Sequence, residues 1–243
     1  MTDATLHKLG GNGPDILLIH GFASDRLSWL ALTPKLFTLG TIWAVEYGGH
    51  GTAGNDVGDG SITDLANAIE LRTKKKLKSP IIVGHSLGGA IALHLTARCI
   101  LEPSGVVLLA PAGLGSSLNI SFIEKLTEVD DGAAAHNLLR MLVKRKHLIT
   151  RRIADAFVDS LGDVARRSAL QTITASLKTL APPPFPPEIP WIVLWGDADP
   201  IVSPPVHLPT GFHLLSNVGH LPHVEAIDDV AKAIKNSLVA IEK

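Results

Sequence analysis

Ile81-Ile82-Val83-Gly84-His85-Ser86-Leu87-Gly88-Gly89 is the stretch that decides the fold. Its first three residues are apolar and β-branched, the composition of a strand buried on both faces. The residues after it, Ala90 to Ile100, contain neither proline nor glycine and read as a helix. A Gly-x-Ser-x-Gly turn therefore sits between a buried strand and a helix. On so sharp a turn the serine hydroxyl projects beyond the sheet edge. Glycines at 84 and 88 leave room for the neighbouring strand and helix, where side chains would collide. The helix start favours negative charge, and the Leu87 N–H can donate to an oxyanion. Ser86 is the candidate nucleophile, with His85 as part of the supporting motif.

Outward from this turn, similar apolar runs recur: Ile16 to Ile19, Thr41 to Val45, Val106 to Leu109, Trp191 to Trp195 and Phe212 to Leu215. Such near-continuous runs fit strands covered on both faces. Helical patterns lie between most of them. Ser61 to Leu77 opens with Ser61 three residues before Asp64, a capping-box-like start. From Ala226 to Ile241 an apolar stripe runs through Ile227, Val230, Ile234, Leu238 and Ile241. The alternation predicts an α/β fold with a mostly parallel central sheet flanked by helices. The N-terminus, Met1 to Gly13, is polar and mixed and lacks the basic start and apolar stretch of a signal peptide.

The rhythm breaks between Leu114 and Leu180. No strand is expected there. Ser121-x-x-Glu124 reads as a capping box, Asp130-Asp131-Gly132 as a turn, and Ile153, Ala156, Phe157 and Leu161 share helical spacing. Three or four short helices are expected, followed by a stiff proline-rich connector from Pro182 to Pro190. The expected organisation is a core of residues 1–113 and 185–243, with residues 114–184 as a helical lid and connector.

A serine nucleophile needs a base, and the base needs an orienting carboxylate. His220 follows the last apolar run on a loop at the C-terminal sheet edge and is the expected base. His223 is its rival; His136, His147, His207 and His213 are read as surface, loop or strand residues. Asp199, next to Pro200 in the loop after Trp195, is the expected acid. Asp197 is read as a brace for that loop, and Glu225 as a helix-start charge. His20-Gly21-Phe22 ends the first buried run. Phe22 is the second expected oxyanion donor, Gly21 permits close backbone approach, and His20 is read as a hydrogen-bonded brace.

Composition narrows the functional classes. The chain has 243 residues and a formal net charge of -1, which gives no footprint for nucleic acid. No signal peptide or membrane span is expected, which points to a cytoplasmic protein with no membrane partner. The single cysteine, Cys99, reads as a buried apolar filler. No metal-ligand spacing appears, and no Gly-x-Gly-x-x-Gly follows a strand, so neither metal nor cofactor is implied. The expected partner is a small-molecule substrate. Oligomeric state stays open, a homodimer included.

Together, His20-Gly21-Phe22, Gly48-Gly49-His50-Gly51, Gly84 to Gly89, Trp195 to Asp199 and Gly219-His220 resemble the α/β-hydrolase superfamily across nearly the whole chain. The resemblance implies a triad of Ser86, Asp199 and His220, with Phe22 and Leu87 as oxyanion donors. Glu46 departs from it, since relatives usually carry aspartate before the Gly-His-Gly turn; that position is read as a loop brace. Leu109 to Gly115 is most similar to the hydrolase-like domain of acetoin dehydrogenase E2 (dihydrolipoamide acetyltransferase) subunits. Those subunits join a lipoyl domain to this fold. No lipoyl hairpin fits before Ile16, so a free-standing hydrolase is expected. The implied activity is acyl chemistry on an ester or thioester. An acyltransferase, a carbon–carbon bond hydrolase and a catalytically silent binding protein are the alternatives.

Overall fold

Strands whose side chains are apolar on both faces must be covered on both faces, and this chain solves that with a single doubly covered sheet. The computed structural model describes residues 2–98, 101–182 and 189–239. Cys99, Ile241 and most of the proline-rich connector lie outside the described residues. In chain order the strands are β1 (Ala4–Gly10), β2 (Asp15–Ile19), β3 (Thr41–Tyr47), β4 (Ile81–His85), β5 (Gly105–Leu109), β6 (Ser117–Leu118), β7 (Trp191–Gly196), β8 (Val202–Ser203) and β9 (Phe212–Leu215). The α-helices are α1 (Thr33–Leu36), α2 (Ile62–Thr73), α3 (Leu87–Ala97), α4 (Ile120–Glu128), α5 (Gly132–Leu139), α6 (Arg151–Leu161), α7 (Val164–Leu177), α8 (Pro222–Glu225) and α9 (Ile227–Val239).

Seven strands form the main sheet in the order β1-β3-β2-β4-β5-β7-β9. All neighbours pair in parallel except β1, which runs antiparallel to β3. After β2 the chain first builds to one side, through β3, and then crosses to the other, through β4. That reversal opens a crevice at the carboxyl ends of β2 and β4, the place where open α/β sheets hold ligands.

Period-two alternation divides the core. Leu17, Ile19, Ile82, Val106 and Leu108 pack towards α2, α3 and the insert. Ile16, Leu18, Val83, Val107 and Leu109 pack with Trp29, Leu36, Val230 and Ile234 on the opposite face. Each such aliphatic side chain contributes on the order of 2 kcal/mol by leaving water.

The sequence pattern missed β1. It is an edge strand whose residues after Ala4 are half-buried or exposed, so it carries no continuous apolar run. It also missed β6, which is only two residues long and pairs with β8. That short ladder ties the start of the insert to the loop after β7. Helix starts also differ in detail. Ser61 caps α2 by accepting from the Asp64 N–H at 3.2 Å, as expected. The α4 cap is Asn119, whose side chain accepts from the Phe122 N–H at 3.0 Å, so Ser121 lies inside the helix. Asp131 caps α5 at the expected turn. Between β5 and β7 the described residues form β6 and α4 to α7, and Ile153, Ala156, Phe157 and Leu161 lie on α6 at the expected helical spacing.

Glu46 shows why a longer carboxylate stands at the end of β3. It is fully buried and accepts from the Arg26 N–H and guanidinium and from the Thr52 N–H and hydroxyl, with His7 Nε2 3.1 Å away. Burial alone would raise its pKa, but the bonds from Thr52 and Arg26 outweigh that and hold it at about 2. Gly51, at φ +54°, passes so close that a Cβ would lie 2.2 Å from this carboxyl. Glu46→Ala leaves buried donors unmatched and is expected to cost about 3 kcal/mol, read as a lower urea midpoint. The folded pKa lies below the ordinary 4.5. The contribution is therefore complete above that value and lost as pH falls towards 2, a slope that Glu46→Gln should remove.

Candidate active site

The turn between β4 and α3 places Ser86 in a backbone region that L residues rarely occupy, with φ 51° and ψ −117°. Its carbonyl holds the strain by accepting from Gly89 (2.9 Å), Ala90 (3.2 Å) and Ala112 (3.0 Å), while its N–H donates to Leu109 (2.9 Å). The glycines are sterically required. A Cβ on Gly84 would meet the Gly88 carbonyl at 2.5 Å, and one on Gly88 would meet the Ile19 carbonyl at 2.2 Å. A Cβ on Gly21 would lie 2.7 Å from His85 Nδ1.

Asp199 and His220 converge as the sequence predicted. His220 Nδ1 lies 2.8 Å from Asp199 Oδ2, and both side chains are buried. The other Asp199 oxygen accepts from the Ile201 and Val202 N–H groups at 2.8 and 3.1 Å. The carboxylate is thus oriented by its own loop, and the imidazole by the carboxylate. Asp197 is exposed and accepts from the Asn217 N–H at 2.8 Å, which makes it a brace between the two loops.

Leu87 is the first residue of α3, so its N–H has no acceptor within the helix. Phe22 lies in the turn after β2, on the wall of the same cavity as Ser86. The next residue, Ala23, donates its N–H to His50 Nε2 at 3.0 Å, and this fixes the turn. His20 is also a brace: it stacks on Tyr47 with ring centroids 4.5 Å apart, and its Nδ1 sits 2.9 Å from the Gly21 carbonyl.

A chain of rings backs the site. His85 lies 4.8 Å from His220 and 4.6 Å from His223, and His223 lies 4.5 Å from Trp29, centroid to centroid. His85 Nε2 donates to the His220 carbonyl at 2.8 Å, which leaves His85 Nδ1 unprotonated. Burial, followed by the neighbouring imidazoles, pushes the His85 pKa well below 6.5 and that of His223 to about 3. Burial likewise lowers His20 and His50. His223, the rival base, is therefore a neutral packing residue whose Nδ1 is buried without a partner.

Ser86 and His220 open onto a cavity of about 380 Å³. Its walls come from residues 22–31, from α4, α5 and α6 with the segment between α5 and α6, and from residues 220–224. The lining includes Phe122, Leu126, Leu142, Ile149, Ile153 and Phe157, and no Lys, Arg, Asp or Glu. Among the described residues no group of three or more His, Cys, Asp and Glu could hold a metal, and no helix is long and apolar enough to cross a membrane.

Two parts of the site escaped the sequence reading. Glu225, read as a helix-start charge, does lie in the single turn of α8, but it is buried there and bonded to the His220 loop. A carboxylate within an otherwise apolar stretch just after the base was the signal available. The ring stack had a weaker one, in the density of histidines around the two catalytic-type turns.

Residues 16–233 match the model of the Alpha/beta hydrolase family, and the chain belongs to that family. It is 24% identical over 234 residues to a dihydrolipoyllysine-residue acetyltransferase component of an acetoin cleaving system from Pseudomonas putida. That alignment covers 92% of this chain and 63% of the relative, so the chain spans less than two thirds of that protein. Monoacylglycerol lipase ABHD6 of Homo sapiens is 31% identical over 132 residues, 53% of this chain and 39% of the lipase. Among solved structures, a meta-cleavage product hydrolase from Pseudomonas fluorescens superposes with a TM-score of 0.81 at 16% identity, covering 98% of this chain and 95% of the other. The sheet and its flanking helices are thus those of an α/β hydrolase.

The buried imidazoles set a pH dependence. His20, His50, His85 and His223 all titrate below 6.5 in the folded chain, whereas the unfolded chain binds their protons near 6.5. Below that pH the unfolded state holds more protons, so stability falls on acidification and is complete above it. Urea midpoints from pH 7.5 to 5 should decline, and His223→Phe should flatten the slope by up to one proton.

Proposed function

We propose that the chain is a serine hydrolase that cleaves a neutral ester or thioester through an acyl-enzyme on Ser86, with His220 as base and Asp199 as its orienting carboxylate. One observation carries this reading: the 2.8 Å His220–Asp199 bond ends at the same cavity wall as a serine held on a strained turn. His220 Nε2 takes the hydroxyl proton as Ser86 Oγ attacks the carbonyl carbon. The Phe22 and Leu87 N–H groups stabilise the oxyanion. Collapse expels the alcohol or thiol, protonated by His220, and water then releases the acid by the same steps in reverse.

The cavity lining supports the substrate class. A wall without charged side chains suits an apolar acyl group and offers no cationic side chain to offset the desolvation of a carboxylate or phosphate on it. The insert from α4 to α7 serves as the lid that shapes this pocket. Acyl transfer to a thiol is the second reading, favoured by what the P. putida relative is called. Measuring hydrolysis and thiol-ester exchange in one assay separates the two.

A fluorophosphonate probe is expected to label wild type and to leave Ser86→Ala untouched. Asp199→Asn should lower kcat by roughly 10⁴-fold through the wrong imidazole tautomer. A p-nitrophenyl ester panel from acetate to decanoate should show kcat/KM rising with acyl length until the pocket is full. A flat profile, or labelling that persists in Ser86→Ala, would refute the assignment.

A further inference from the structure

Glu225 stands five residues beyond His220, at the end of α8, and its side chain is completely buried. Backbone donors converge on its carboxylate from two different parts of the chain. Oε2 accepts from the Gly219 N–H at 2.7 Å and from the Lys144 N–H at 3.1 Å. Oε1 accepts from the Arg145 N–H at 2.7 Å, with the Arg145 Nε 3.8 Å away. The Arg145 guanidinium also reaches the Glu225 carbonyl. Gly219 belongs to the base loop, whereas Lys144 and Arg145 belong to the insert, between α5 and α6.

The neighbouring peptide is fastened in the same direction. The His220 N–H donates to the Leu142 carbonyl at 2.7 Å, and the His220 carbonyl accepts from His85 at 2.8 Å. His220 is therefore bonded to the insert through its N–H and to the end of β4 through its carbonyl. Gly219 permits the approach: a Cβ there would meet the Leu142 carbonyl at 2.7 Å and the Lys144 nitrogen at 3.0 Å.

We propose that Glu225 is a positioning residue, which joins residues 142–145 of the insert to the loop of His220 and so sets the imidazole at its working distance from Ser86. Segment 142–145 then belongs to the catalytic frame and does not swing with the rest of the lid. The chemistry requires a carboxylate. Two acceptor oxygens meet three N–H donors. A glutamine would turn an NH2 group against at least one of them.

The catalytic readout rests on the serine-hydrolase reading, so a second readout is needed that does not. In Glu225→Gln, fluorophosphonate labelling of Ser86 and kcat for a p-nitrophenyl ester are expected to fall roughly 10- to 100-fold, with KM changed less than about threefold. Hydrogen exchange should show the amides of 142–145 and 219–220 losing protection together while the strands keep theirs. Arg145→Pro removes one of the three donors from the exposed side of the join, and it should reproduce both effects more weakly should Glu225→Gln fail to fold. Wild-type labelling, kcat and exchange in either folded variant would overturn the proposal. A wild-type protein that resists the probe would refute the serine assignment, and exchange alone would then decide: coupled loss of protection supports the join, and unchanged protection refutes it.

Discussion

Close backbone packing around Ser86 governs everything else in the molecule. A serine at φ 51° costs of order 1–3 kcal/mol, so the surroundings must over-determine it. They do so by bringing β2, β4, α3 and the turn after β5 so near to one another that side chains at Gly21, Gly84, Gly88 and Gly89 have no room. Three N–H donors on the Ser86 carbonyl then offset the strain. Ala23 and Ala110, beyond the ends of β2 and β5, are also at positive φ. These three strained residues follow the carboxyl ends of β2, β4 and β5, the same edge that carries the catalytic-type side chains.

A second layer of polar contacts turns this geometry into a directed one. Three rings near Ser86 are given a tautomer by a carbonyl or a carboxylate: His85 by the His220 carbonyl, His220 by Asp199, His50 by the Gly48 carbonyl. Burial holds His85 and His50 well below 6.5, so both are neutral near pH 7 and add no positive charge beside His220. The low-dielectric surroundings that make an unpaired polar group expensive also strengthen the hydrogen bond between His220 and Asp199.

Much of this was legible in the chain. Ser86, Asp199 and His220 could be placed because each follows an apolar strand of the parallel sheet, and all such strand ends face one edge. Glycine spacing around Ser86 recorded a steric demand, and steric demands leave a local trace. The β1 strand left none, because an edge strand needs no apolar run. Asn119 capped α4 in place of Ser121 because the cap depends on where the backbone turns, which residue type and spacing do not reveal. Glu225 was misread for a related reason. Two of its three N–H partners, at Lys144 and Arg145, lie 81 and 80 residues away, and backbone donors carry no residue signature.

The same distinction explains why chemistry and specificity differ in how readily they can be read. The reacting groups sit on elements whose order the fold dictates. The pocket is walled by short segments of the insert together with residues 22–31, and its shape is a sum of side-chain volumes that no spacing rule encodes. Even so, the insert is no independent module. Through Leu142, Lys144 and Arg145 it touches the peptide that carries the imidazole and the carboxylate behind it. A change of insert that reshaped the pocket without keeping those contacts would move the base as well. In the proposed mechanism substrate range and catalytic geometry are therefore coupled, and the coupling runs through the buried carboxylate that bonds both segments.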